Sequence, residues 1–95
     1  MKTPEADLKD KVKKFLSSIP EVWFFMPVPM GYGVRGIPDF VGCWKGKFFA
    51  IETKAIRGKE SPWQKKIREK ILEAGGIAFV AWEIEDVHNA FFGET

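Results

Sequence analysis

Leu8, Val12, Phe15 and Ile19 recur at the spacing of one helical face, and this pattern predicts an amphipathic helix over 4–17. Thr3-Pro4 supplies its start, a capping hydroxyl followed by proline at the first helical position. Glu21–Val28 contains Val22-Trp23-Phe24-Phe25-Met26, apolar on both faces, and reads as a strand ended by Pro27 and Pro29. Two further β-rich runs, Asp39–Trp44 and Lys47–Thr53, flank Lys45-Gly46, a short turn of the kind that joins antiparallel strands. Trp63, Ile67, Ile71 and Ala74 make the apolar stripe of a second helix, opened by Ser61-Pro62 and closed by Gly75-Gly76. Ile77–Trp82 is a continuous apolar run, a buried strand. A strand–helix–strand unit of this length crosses over right-handedly, so this strand should pair parallel to the one ending at Thr53. Ile84, Val87 and Phe91 predict a short closing helix. The order is αβββαβα, an α/β fold with a small mixed sheet flanked by helices in a single domain spanning 1–95.

The two-residue turn has a chemical consequence. It sets Trp44 against Lys47, Cys43 against Phe48, Val41 against Ala50, and Asp39 against Glu52. Side chains directly opposite share a face with Cβ atoms roughly 4.5–5.5 Å apart, and like charges there repel. A divalent cation between the two carboxylates is the simplest compensation. Lys54, two residues beyond Glu52, falls on the same face by strand alternation. A solvated strand edge with a weak ion pair is the plain alternative. Against it, Phe48 and Ala50 on one face and Phe49 and Ile51 on the other mark a covered central strand, where terminal charges need a partner or a task. Pro38 fixes where the preceding strand begins.

Pro38-Asp39, twelve intervening residues and Glu52-Thr53-Lys54 resemble the signature of the PD-(D/E)xK nucleases. The longer run Gly33-Val34-Arg35-Gly36-Ile37-Pro38-Asp39-Phe40, with Ser61-Pro62-Trp63-Gln64 and Ala74-Gly75-Gly76 downstream in the same order, is similar to the VRR-NUC (virus-type replication-repair nuclease) branch. The resemblance covers about Glu5 to Phe92 and implies a restriction-endonuclease-like core. It also implies a catalytic set of Asp39, Glu52, Lys54 and Gln64, and a metal held by Asp39, Glu52 and the Thr53 carbonyl. A first-helix glutamate joins the metal site in this family, which points to Glu5 as an outer ligand. By spacing, Glu5 lies on the buried stripe, and its alternative is a carboxylate favoured by the helix N-terminus. Lys9, Lys11, Lys13 and Lys14 read as the wet side of that helix. Gln64, three residues before Ile67, faces the sheet from the first turn of its helix, or else borders solvent.

Met30–Gly36 carries three glycines with Tyr32 and Arg35 and has no secondary-structure period. As a loop entering the carboxylate site it would let a nucleic-acid backbone approach, with Arg35 and Tyr32 as contacts; the alternative is an ordinary connection. Arg57, Lys59 and Lys65 extend the basic character beyond Lys54 and are further candidate DNA contacts. A solvated face is the competing reading.

The net charge of +2 does not announce a nucleic-acid protein by itself, but the basic residues gather around the hairpin and the stretch after it. Four tryptophans, nine phenylalanines and one tyrosine exceed what one small core easily hides, which hints at a self-association surface. The single cysteine, Cys43, rules out an internal disulfide and a cysteine-based zinc site, and its expected role is a small buried hydrophobe. The only histidine, His88, lies one turn from Ile84 and is expected to be structural or partly exposed, which removes paired-histidine chemistry. No nucleophile elbow, P-loop or dinucleotide fingerprint is present. Oxygen ligands without cysteine or histidine favour Mg²⁺ or Mn²⁺. The expectation is a metal-dependent, structure-selective DNA endonuclease, resembling Holliday-junction resolvases, that acts on branched or structured DNA as a homodimer. It would work in a reducing cytoplasm, with a phage or prophage origin and no membrane association. A flap or nicking nuclease of the same chemistry, or a catalytically silent DNA- or partner-binding module, is the alternative.

Overall fold

The structure is a computed structural model that describes residues 2–28, 33 and 35–93. Helix α1 (Pro4–Ser17) is followed by strands β1 (Val22–Phe25), β2 (Phe40–Trp44) and β3 (Lys47–Thr53). Helix α2 (Pro62–Glu73), strand β4 (Ile77–Ala81) and helix α3 (Ile84–Phe92) complete the chain. The sheet runs β1-β2-β3-β4, antiparallel across the first two pairs and parallel between β3 and β4. The expected αβββαβα order, mixed sheet and parallel crossover are therefore all present.

The hairpin register follows from the turn. Lys45 and Gly46 have φ of 51° and 80°, the left-handed pair of a type I′ turn, whose twist matches that of the flanking strands. Trp44 pairs with Lys47, Cys43 with Phe48 and Val41 with Ala50, as the spacing predicts. Helix α1 begins where the Thr3 hydroxyl accepts the Ala6 amide at 3.1 Å. Helix α2 begins with a capping box. The Ser61 hydroxyl accepts the Gln64 amide at 3.1 Å, and the Gln64 side-chain oxygen accepts the Ser61 amide at 2.7 Å.

Strand alternation sorts the core. Phe40, Phe49 and Ile51 bury against Leu8, Val12 and Leu16 of α1 and Val87 and Phe91 of α3. The opposite face, with Ala50, Glu52 and Ala78, lies under α2. Helix α2 is short and sits over β3 and β4, so it leaves the β1–β2 end of that face open. This corrects two expectations. Cys43 is exposed rather than a buried hydrophobe, because α2 does not reach its side of β2. Phe48, its partner across the hairpin, is 46% exposed for the same reason. Trp23 and Phe25 of the edge strand β1 are also exposed on this side, their rings 5.7 Å apart. Trp63, expected in the stripe beneath α2, is half exposed, whereas Ile67 and Ile71 further along the stripe are partly buried. His88 is exposed and stacks on Phe15 with ring centroids 4.2 Å apart, a structural placement.

Candidate active site

Asp39 sits one residue before β2, where the ladder has not yet begun. Free of the pleat, its carboxylate is reached from both faces of the sheet end. From β3, Thr53 donates its amide (2.8 Å) and its hydroxyl (2.7 Å) to Asp39 Oδ2. From α1, Lys9 Nζ lies 3.6 Å from Oδ1. Glu52, the neighbour of Thr53, points to the opposite face by alternation, and its carboxyl is coupled to that of Asp39. Asp39 and Glu52 thus meet at the end of the hairpin as its register implies, with Lys54 close enough to act on Glu52, while Thr53 holds one oxygen of the Asp39 carboxylate.

The two carboxyls have opposite proton affinities. Burial pushes Asp39 up, but the Thr53 hydroxyl and amide, a proton shared from Glu52 and the Lys9 charge together outweigh it, and Asp39 lies below its usual range. Glu52 is pushed up to about 8, first by burial, then by the negative charge and hydrogen bonding of Asp39, against a smaller pull from Lys54 and Lys9. Glu52 is 8% exposed, and its Oε2 is buried without a hydrogen-bond partner. As a carboxylate it has no donor there; as an acid it can share its proton with Asp39. An orphaned buried oxygen beside a second carboxylate is a site a hard cation fits, since the cation supplies the missing charge to both.

Lys54 follows directly. Its amide donates to the Ala81 carbonyl at 2.9 Å, which ties the end of β3 to β4. Its half-buried side chain lies near enough to Glu52 to favour the carboxylate, and it makes no ion pair among the described residues. Gln64 lines a cavity of about 10 Å³ together with Glu52, Glu60 and Arg68. Its side-chain oxygen is already spent on the Ser61 amide, and no hydrogen bond joins it to Lys54 among the described residues. Beside it, Arg68 grips Glu60 through Nε (3.1 and 3.2 Å) and Nη2 (2.6 Å).

Glu5 is half-buried in the first turn of α1. Among the described residues, no group of three or more His, Cys, Asp or Glu side chains comes together to hold a metal, so Glu5 is not gathered with Asp39 and Glu52. The group that α1 does bring to Asp39 is Lys9, one turn further on. The expectation that Lys9 belongs to the wet side of the helix is thus corrected. It stands four residues after Glu5 and beside Leu8, on the border of the buried stripe.

Arg35 is exposed, with its guanidinium 5.3 Å from the Trp63 ring centroid. Tyr32 lies outside the described residues. Arg57 (φ 67°), Lys59 and Lys65 are all exposed, in the loop after β3 and on α2. Beside Asp39 opens a cavity of about 730 Å³, with Lys9, Arg35, Ile37, Trp63 and Gln64 on its walls. Trp63 and Lys9 are the two residues at this site that sequence patterning assigned elsewhere. Among the described residues, no helix is long and apolar enough to cross a membrane.

No protein-family model matches the sequence. No curated protein matches it either. A solved structure described as a VRR_NUC domain does match: the TM-score is 0.78 at 20% sequence identity, covering 95% of this chain and 96% of the other. The likeness spans nearly the whole of both chains although four residues in five differ, and this chain has the fold of a VRR-NUC domain.

Proposed function

We propose that this chain is a metal-dependent nuclease of the VRR-NUC kind, an endonuclease that hydrolyses phosphodiester bonds in branched or structured DNA. The observation that carries the reading is Glu52, buried with an unpartnered oxygen, facing Asp39 at the end of a hairpin with Lys54 two residues on. The likeness to a structure described as a VRR_NUC domain supports it.

Asp39 and Glu52, with the Thr53 backbone carbonyl, would hold Mg²⁺ or Mn²⁺; Glu5 has no place beside them in this arrangement. Such an ion, when bound, polarises the scissile phosphate and acidifies a water. The protein's own groups do the rest. Thr53 keeps Asp39 ionised and oriented. Burial of Glu52 leaves its oxygen without competing donors. Lys54 positions the attacking water and offsets charge developing on phosphorus. Gln64 borders the Glu52 side of the site from a helix start fixed by its own capping box. Arg35, Arg57, Lys59 and Lys65 contribute phosphate contacts on an exposed surface, with Tyr32 assigned alongside them from sequence alone.

A four-way junction is the substrate we favour, cut by a homodimer whose two sites act on paired strands. The exposed Trp23 and Phe25 on edge strand β1 favour self-association. The test is cleavage of a labelled junction, a flap and linear duplex in Mg²⁺, Mn²⁺ or EDTA, with Asp39→Ala run in parallel. Metal-dependent paired nicks in the junction, absent in the variant, are expected. Cutting of the flap or duplex alone would retain the chemistry and discard junction selectivity. Binding without cleavage in every metal would leave a DNA-binding module.

A further inference from the structure

The cavity beside Asp39 combines aromatic, apolar and charged walls. Trp63 stands on the first turn of α2, in a frame stiffened by the Ser61–Gln64 capping box, yet its indole is 50% exposed. An exposed indole with a polar edge, on the wall of a cavity that also carries charged groups, offers a flat face for stacking. The Arg35 guanidinium lies over the ring at 5.3 Å. That pairing is held by the backbone. Gly36 has a φ of 81°, and a Cβ there would lie 2.5 Å from both the carbonyl carbon and the carbonyl oxygen of Trp63. Only glycine lets the chain lie this tightly on the start of α2 and carry Arg35 to the indole. Ile37 adds an apolar wall, Lys9 a second cation, and Asp39 lines the same cavity. Its volume of about 730 Å³ falls within the ~300–1,000 Å³ of sites that hold small molecules.

A flat aromatic, a planar cation, apolar walls and an adjoining site for phosphate are the complement of a nucleotide whose base is out of its helix. We propose that the cavity receives one unpaired nucleobase, stacked on the Arg35–Trp63 pair, from the nucleotide next to the phosphate at Asp39 and Glu52. The inference rests on the nuclease reading and narrows its substrate class. Inside a continuous duplex both faces of a base are covered by its neighbours, so a paired base cannot reach Trp63. A strand splayed at a branch point, flap or gap can, and stacking accepts any base. The site therefore selects DNA that is unpaired beside the cut without reading its sequence.

The test uses a short single strand carrying one 2-aminopurine, and the same strand in a full duplex, titrated with the whole protein in EDTA so that nothing is cut. Quenching of the probe is expected in the single strand and not in the duplex. Trp63→Leu should weaken single-strand binding about tenfold and abolish the quenching, with Trp63→Phe restoring most of both. Arg35→Ala should weaken binding in the same direction. Melting curves establish that each variant is folded. Equal quenching in single strand and duplex, or binding indifferent to Trp63→Leu in a folded variant, would overturn the inference, and cleavage by that variant in Mn²⁺ would leave the nuclease reading intact. Quenching that needs Trp63, in a protein that cuts nothing with any divalent metal, would support the stacking site and overturn the nuclease reading instead.

Discussion

Thr53 donates both its amide and its hydroxyl to a single oxygen of Asp39, at 2.8 and 2.7 Å. Two donors from one residue fix the carboxylate's rotation and hold it ionised while its other oxygen stays clear of Thr53. Thr53 is fully buried, so replacing it with the isosteric valine removes the hydroxyl bond with little change in packing. Partners that orient a metal-binding carboxylate are worth about 10–100-fold in metal affinity or activity. Thr53→Val should therefore lower cleavage by roughly that factor. A steady-state comparison at several Mn²⁺ concentrations checks it; full activity would show that the amide alone orients Asp39.

In the proposed metal site Lys9 would compete with the cation for Asp39. Its amine is 3.6 Å from Oδ1 and about one-third exposed, so solvent screens the pair. Such pairs are worth up to about 1 kcal/mol, which corresponds to about fivefold in binding. In Lys9→Met, Mn²⁺ should bind more tightly by up to about fivefold in the absence of DNA. Fluorescence or calorimetric titration would read the change, and weaker binding would mean that Lys9 supports the site in another way.

The pH dependence of stability has a definite sign. In the folded protein Glu52 keeps its proton up to about 8, against an ordinary 4.5. Between those values the native state holds a proton that the unfolded chain has released. The contribution of Glu52 is thus complete below about 4.5 and is lost as pH rises through about 8. Asp39 works the other way, since its folded affinity for protons is depressed. Its contribution is present above 3.8 and lost on acidification. Without divalent metal, the denaturation midpoint should fall from pH 5.5 to about 8.5 by this linkage, and Glu52→Gln should flatten the slope. Added Mn²⁺ should protect most at the alkaline end, where Glu52 is ionised. An unchanged slope in Glu52→Gln would assign the effect to other groups.

Gly36→Ala tests the seating of the 35–38 segment on α2. The alanine would place a Cβ 2.5 Å from Trp63 backbone atoms at a left-handed φ. Strain of this kind costs about 1–3 kcal/mol. In a domain of this size each kcal/mol lowers the melting temperature by roughly 4–8 °C. A melting temperature equal to that of the parent protein would show that the segment lifts away from α2 at no cost.

Much of this was legible in the residues, for identifiable reasons. The two-residue turn at Lys45-Gly46 fixes the hairpin register, and from it comes the juxtaposition of Asp39 with Glu52. Proline and hydroxyl pairs mark both long helix starts, and glycine marks the end of α2. The errors at Cys43, Phe48 and Trp63 share a cause, which is that periodicity gives the face of an element but not how far its neighbour extends. Cys43 and Phe48 are on an apolar face that α2 is too short to cover. Trp63 is on the stripe of α2 but at its first turn, beside the cavity. Lys9 looked solvated because it lies among other lysines, although its place one turn after Glu5 sets it at the edge of the buried stripe. Gln64 read as a site residue, and the capping box that takes its carbonyl oxygen was visible in the spacing Ser61-x-x-Gln64.

The central claim is that Asp39 and Glu52 form one cation site with Lys54 outside the ligand set. Calorimetric titration of Mn²⁺ into the DNA-free protein and its variants at neutral pH tests this most directly. The account predicts a binding event in the parent protein that is lost in Asp39→Asn and in Glu52→Gln and kept in Lys54→Met. Mn²⁺ binding that survives both carboxylate substitutions, or that is absent from the parent protein, would contradict it.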